Sequence, residues 1–216
     1  MIRGLVFDFD GLVIDSESAL IDAYADIHAK YGMPFERQAF LESVGHADYA
    51  FDPWHAFEKR ADRAALEVER QRRNRERMLQ QPLLPGVQAL IEAAFAAGLK
   101  LGVASNSRHP HVDGNLERLG LLARFQATAC RDDVPSPKPE PDVYRLAVNR
   151  LGLRPHECVA LEDSQTGIIA ARRAGLRTVA VPGASTKHHD FAQADWVVAS
   201  LAEVSVETLQ QRFGAA

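Results

Sequence analysis

The sequence predicts an α/β protein: a mostly parallel sheet flanked by helices on both faces, with a small all-helical segment inserted after the first strand. Three observations carry that reading. Short apolar, β-branched runs recur along the chain, and each stops at a polar or glycine-bearing turn. Helical patterns closed by glycine alternate with them, which is the rhythm of βαβ units. The stretch 17–82 breaks this rhythm, holds no strand pattern, and is too long for an ordinary connection between a strand and a helix.

Taken in order, the first run covers 2–7 and ends abruptly at Asp8. Further strand candidates cover 99–104, 125–129, 158–161, 177–181 and 196–198, the weakest being 125–129. Helices are predicted over 87–97, behind Pro85-Gly86; over 112–119, closed by Gly120; over 141–151, closed by Gly152; and over 166–174, closed by Gly175. Inside the insert, helices are predicted over 19–31 and 35–44, and a long, broken one over 53–81. The domains therefore divide as 1–16 with 83–216 for the α/β core and 17–82 for a helical cap. An all-helical insert over the carboxyl ends of a parallel sheet would act as a lid.

Composition narrows the function without naming it. The chain has 216 residues, 46% of them apolar, and its 25 basic and 29 acidic residues give a net charge of −4. That is a soluble globular composition, and its mild acidity argues against a dedicated nucleic-acid binder. Two cysteines, Cys130 and Cys158, lie far apart with no CxxC spacing, the pattern of buried thiols in a reducing cytoplasm. The start of the chain is too soon charged for a signal peptide, and no stretch approaches the roughly 20 apolar residues of a membrane span. A cytoplasmic protein, monomeric or dimeric, is expected. The run ERQRRNRER, within a stretch 54–79 that carries eight Lys/Arg and five Asp/Glu, reads as a solvated helix face laced with ion pairs.

Ligands of parallel sheets bind at the carboxyl ends of the strands, so the polar residues found there are the candidates for chemistry. After the first strand come Asp8 and Asp10, in DFDG; after the second, Ser105 and Asn106, in VASNS; after the fourth, Glu162 and Asp163, in ALEDS. Lys138 stands between Pro137 and Pro139, which restrict its backbone. Any one of the acids read alone is an ordinary helix cap, but four carboxylates at one mouth repel each other unless a cation intervenes. Oxygen-only ligands suit a hard ion, Mg²⁺ rather than Zn²⁺. A lysine, a serine and an aspartate nucleophile complete the requirements of phosphoryl transfer.

These motifs resemble the haloacid dehalogenase superfamily along essentially the whole chain. DxDGxxxDS stands here as Asp8-Phe9-Asp10-Gly11-Leu12-Val13-Ile14-Asp15-Ser16, followed in order by Ser105, by Lys138 in SPKPEPDVY, and by Glu162-Asp163-Ser164 with Thr166-Gly167. The resemblance implies a Rossmann-like core with an inserted helical cap. It implies Asp8 as nucleophile and metal ligand, Asp10 as general acid and base with its carbonyl on the metal, and Ser105 and Lys138 as phosphate binders. Asp163 is implied as a direct Mg²⁺ ligand, with Glu162 reaching the ion directly or through water. Asn106 is expected to hold phosphate or substrate.

Within the superfamily the layout is similar to the β-phosphoglucomutase and phosphoglycolate phosphatase branch. Asp10 disfavours dehalogenation. The cap lysines, Lys30 and Lys59, lack a context for the Schiff base that phosphonate hydrolysis needs, and surface positions are expected for them. The stretch 44–48 lacks the serine–arginine pair of the mutase signature. The expected activity is Mg²⁺-dependent hydrolysis of a small phosphomonoester, a sugar phosphate or phosphoglycolate-like metabolite, through an aspartyl-phosphate. A sugar phosphomutase and a non-enzymatic binding protein are the alternatives. His46, Asp48, Tyr49, Trp54 and His55 form a polar–aromatic cluster in the cap, in which His46 and Tyr49 are expected to contact substrate. Tyr49 and Trp54 read equally well as cap core. Lys187, His188 and His189 are expected on the surface of a late loop.

Overall fold

A computed structural model describes residues 1–43, 51–58 and 60–214. The chain begins with strand β1 (Gly4–Phe7) and continues through helices α1 (Ser16–Lys30), α2 (Arg37–Ser43) and α3 (Arg63–Met78). It then alternates: α4 (Val87–Ala96), β2 (Lys100–Ala104), α5 (His109–Arg118), β3 (Ala127–Ala129), α6 (Asp142–Leu151), β4 (Cys158–Glu162), α7 (Gln165–Arg173), β5 (Arg177–Ala180), β6 (Trp196–Val197) and α8 (Val206–Phe213). Two compact units result, Met1–Ile14 with Leu83–Ala216 and Asp15–Pro82.

The helical unit is built on capped helices and an aromatic core. The Asp15 carboxylate accepts from Ser18 N at 3.0 Å at the start of α1, and Asp62 accepts from Ala64 N at 2.9 Å at the start of α3. The segment expected over 53–81 as a long, broken helix is interrupted ahead of Asp62, and α3 takes only its later part. Upstream of Asp62 the Asp52 carboxylate closes a turn onto Trp54 N (3.1 Å), and Phe57 N bonds Trp54 O (2.9 Å). This winding buries Trp54 and Phe57 against Ile27 and Leu66, so aromatic burial overrides local helix preference. His28 is buried in the same cluster, its ring 5.9 Å from that of Trp54 and its nitrogens 2.5 and 2.9 Å from the carbonyls of Pro34 and Pro53. Trp54 is thus core, whereas His55 is exposed beside Glu36.

The basic run is a laced helix face. Arg72 pairs with Glu76 at 2.6 Å and Arg73 with Glu69 at 2.8 Å, both one turn apart, while Arg77 reaches Asp26 on α1 at 2.5 Å. Lys30 pairs with Glu69 at 2.8 Å. His46, Asp48, Tyr49 and Lys59, with the stretch 44–48, lie outside the described residues.

In the α/β unit six parallel strands run in the order β3-β2-β1-β4-β5-β6. β1 is buried on both sides, and Phe7 lies opposite Val103 of β2 and Leu161 of β4. That burial is why it reads as a continuous apolar run and not as an alternating one. The strand order reverses at β1, which places the ligand-binding crevice of such a sheet at its carboxyl end. Val6, Ala104 and Ala160 pack one face against Tyr144, Ala147 and Leu151 of α6 and Ala170 and Ala171 of α7. Ile14 and Leu83 form an antiparallel bridge where the chain leaves and rejoins the unit.

α8 has no counterpart among the helices expected from sequence. Its signature is local, Ser205 accepting from Thr208 N at 3.2 Å ahead of Leu209. The helix ties down the first strand: Gln210 accepts from Ile2 N at 3.1 Å and donates to Ile2 O at 2.7 Å. Ile2 is buried, so Gln210→Ala would strand a donor and an acceptor away from water. We expect a loss of about 1–3 kcal/mol of unfolding free energy, read from the urea midpoint at unchanged slope.

Candidate active site

The four acids, the lysine and the serine come together because three adjacent parallel strands end in register. Asp8 N extends the ladder past β1 by donating to Leu161 O (2.9 Å), and Ser105 N does the same past β2 by donating to Ala129 O (3.0 Å). Glu162 is the last residue of β4 and is fully buried; Asp163 follows it.

Lys138 is the centre of this constellation. Its ammonium donates to Asp8 Oδ1 at 2.5 Å and to Glu162 Oε1 at 2.6 Å, and lies 5.0 Å from the centroid of the Tyr144 ring. Asn106 fixes the lysine's backbone, accepting from Lys138 N through Oδ1 at 2.8 Å. The Asn106 side chain is thus engaged with the lysine loop. Glu162 accepts further bonds: Tyr144 OH donates to Oε1 (2.7 Å), and Ser164 N and Oγ donate to Oε2 (3.2 and 3.0 Å). A side chain at Gly167 would begin 1.9 Å from that carboxylate, so the first turn of α7 must be glycine to admit it. Glu162 is thus a buried counter-charge for Lys138.

The charges are deeply desolvated. Burial pushes the Asp8 carboxyl up to about 7, the ammonium of Lys138 opposing and Glu162 and Asp10 adding to the rise. Burial would lower Lys138, but Asp8 and Glu162 outweigh it and hold the ammonium above its ordinary range. Tyr144 stays a neutral donor, burial and the carboxylates raising it well above the usual phenol value.

Asp10 stands apart from this triad and has its own holders. Ser107 Oγ donates to Asp10 Oδ2 at 2.6 Å, and His111 Nε2 lies 2.8 Å from Asp10 Oδ1. Burial lowers His111, but its bond to Asp10 and the charge there outweigh that and raise it overall. Ser105, also buried, accepts from Ser107 N through Oγ at 3.0 Å. Asp163 accepts from Thr186 Oγ1 at 3.1 Å. Gly11, at φ +81°, lies so near that a side chain there would begin 2.3 Å from Asp163 Oδ2. Sequence reasoning did not single out Ser107, His111, Thr186 or Tyr144. Thr186 adjoins the late loop of Lys187 and His189 that it did mark, and Tyr144 follows Lys138 within SPKPEPDVY.

Ligand oxygens of Asp8, Glu162 and Asp163 all lie within 4.8 Å of one another, buried, with a single lysine to balance three acids. Carboxylate-only donors around excess negative charge fit a small hard divalent cation such as Mg²⁺. Asp8, Glu162 and Asp163 are the carboxylates that could hold it, Glu162 with four donors already on its two oxygens.

The family profile described as haloacid dehalogenase-like hydrolase matches residues 2–175. A putative phosphatase, YhcW, of Bacillus subtilis is 37% identical over 213 residues, covering 97% of this chain and 96% of its own length. Hexitol phosphatase B of Escherichia coli K12 is 34% identical over 223 residues, covering 96% of each chain. Among solved structures, a CbbY variant from Rhodobacter sphaeroides in complex with xylulose-(1,5)bisphosphate superposes with a TM-score of 0.75 at 30% identity, over 97% of this chain and 99% of that one.

The raised Asp8 carboxyl sets a sign for stability. Its native value of about 7 lies above its ordinary 3.8, so between these values the folded state holds a proton that the unfolded state has released. Stability of the metal-free protein therefore falls as pH rises from about 4 to about 7. Asp8→Asn removes this cost. Thermal unfolding in chelator should place the variant above the parent at pH 8, the gap closing toward pH 4.

Proposed function

The chain belongs to the haloacid dehalogenase-like hydrolases, and we propose that it is a Mg²⁺-dependent phosphatase acting on a small phosphorylated metabolite. The observation that carries this reading is Asp8, a strand-end carboxylate held at 2.5 Å by a buried ammonium and flanked by acids that fit a cation. Two relatives that match nearly end to end carry phosphatase names, and the solved structure of a third is a complex with a sugar bisphosphate, which supports a sugar phosphate or a similar monoester as substrate.

In this reading Asp8 attacks phosphorus while the bond to the leaving oxygen breaks, and Asp10 gives that oxygen its proton. Asp10, now a carboxylate, then takes a proton from the water that opens the aspartyl-phosphate. Lys138 supports Asp8 as the carboxylate and, with Ser105, donates to phosphoryl oxygens. Asp8 and Asp163, with the Asp10 carbonyl, would hold Mg²⁺, whose charge offsets that on the transferring phosphoryl group. Glu162 fixes Lys138 and stays a candidate to reach the ion directly or through water. Asn106 serves the phosphate by fixing the lysine loop, which leaves its backbone as the group that meets substrate.

We assign substrate selection to the helical unit because the chain inserts it directly after the Asp8–Ser16 motif, and His46 and Tyr49 remain its candidate contacts from sequence alone. A full nucleophile and acid–base set, each with its own supports, favours catalysis over a binding role. The two free cysteines, Cys130 and Cys158, are buried and both pushed up to about 12 by burial, inert thiols that suit a cytoplasmic enzyme. Among the described residues no helix is long and apolar enough to cross a membrane.

Hydrolysis of p-nitrophenyl phosphate tests the reading. We expect turnover with Mg²⁺, abolition by EDTA with recovery on adding Mg²⁺, and a loss of about a thousandfold or more in Asp8→Asn. Turnover that survives that substitution overturns the mechanism.

A further inference from the structure

His111 is an unusual neighbour for the residue we read as the general acid. It comes from α5, which begins at His109 with Pro110 in its first turn, and so presents His111 beside the end of β1. Its partner Asp10 is 101 residues away in sequence, and Ser107 reaches the same carboxylate from 97 residues away. The two groups divide the carboxylate between them, Ser107 on Oδ2 and His111 on Oδ1. The His111 ring also stands edge-on to Phe9, centroids 5.7 Å apart at 89°. Phe9 is fully buried and lies between Asp8 and Asp10 in the chain, so it is a fixed platform. Packing holds the imidazole, and the imidazole with the serine holds the carboxylate.

We infer that His111 and Ser107 are positioning residues for Asp10, locking the plane of its carboxyl group so that it is aimed at the leaving oxygen. A carboxyl group on a strand-end turn otherwise samples several rotamers, and misalignment of a proton donor costs rate even when its chemistry is intact. The proton balance is simple. The Asp8–phosphorus bond forms, the bond from phosphorus to the leaving oxygen breaks, and the proton passes from Asp10 to that oxygen. His111 and Ser107 keep their own protons. This rests on the reading of Asp10 given above, and it adds a dependence on the leaving group: basic leaving groups need the proton, and good ones depart with little help.

The test is kcat/KM with aryl phosphates of increasing leaving-group basicity, 4-nitrophenyl, phenyl and 4-methoxyphenyl, in Mg²⁺. This quantity reports the steps up to departure of the phenol. We expect His111→Ala to lose about tenfold or more with the phenyl and methoxyphenyl esters and about threefold or less with the nitrophenyl ester. His111→Gln, which returns an N–H near the position of Nε2, should recover most of the loss. Ser107→Ala should tilt the series in the same direction and guards against a folding defect peculiar to position 111. An equal loss for all three esters in both alanine variants, or no recovery in His111→Gln, overturns the inference. Asp10→Asn separates the two levels. If it is steep in leaving-group basicity while His111→Ala and Ser107→Ala are flat, only the positioning role fails. If Asp10→Asn is itself flat, the reading of Asp10 as acid falls and the inference with it.

Discussion

A single buried ammonium organises this site. Lys138 is nearly inaccessible to water, as are the two carboxylates it bridges, and its two ion pairs offset part of the cost of burying those charges. The neighbouring requirements follow from that one placement. Glu162, fully buried, accepts from four donors, one each from Lys138 and Tyr144 and two from Ser164. The Glu162 carboxylate needs room at the start of α7, which demands Gly167. The lysine's backbone needs anchoring, which occupies the side chain of Asn106. An arrangement with this much desolvated charge is costly for folding and suited to chemistry, since the same low dielectric strengthens every interaction with a substrate's charge.

The strand ends were legible in the sequence because parallel strands buried on both faces are continuous apolar runs, and the first polar residue after each marks where the burial stops. That put Asp8, Ser105 and Asp163 at one edge, with Glu162 closing β4. The glycine-closed helices were legible for a similar local reason. The supports of the site were not. Ser107 and His111 meet Asp10 across about a hundred residues, and locally they are a serine in a turn and a histidine in a first helical turn. Thr186 and Tyr144 are hidden in the same way, since only the assembled α/β unit brings them to Asp163 and Glu162.

In the helical unit the limits were different. The pattern from 53 onward is helical, yet Trp54 and Phe57 gain more by folding back onto Ile27 than a longer helix would give them, and Asp62 then caps a later start. The basic run was correctly read from local spacing, because one-turn ion pairs depend on nothing beyond the helix itself. Local electrostatics can be read from sequence wherever aromatic burial does not intervene.

The bridge between Ile14 and Leu83 makes the α/β unit continuous across the insertion, since the two ends of the inserted segment leave from adjacent positions on one bridge. In evolutionary terms the helical unit is a cassette. Its sequence can drift, lengthen or be replaced while the strand order, the lysine and its two carboxylates stay undisturbed. Change within the inserted segment is thereby decoupled from preservation of the charge-balanced α/β unit.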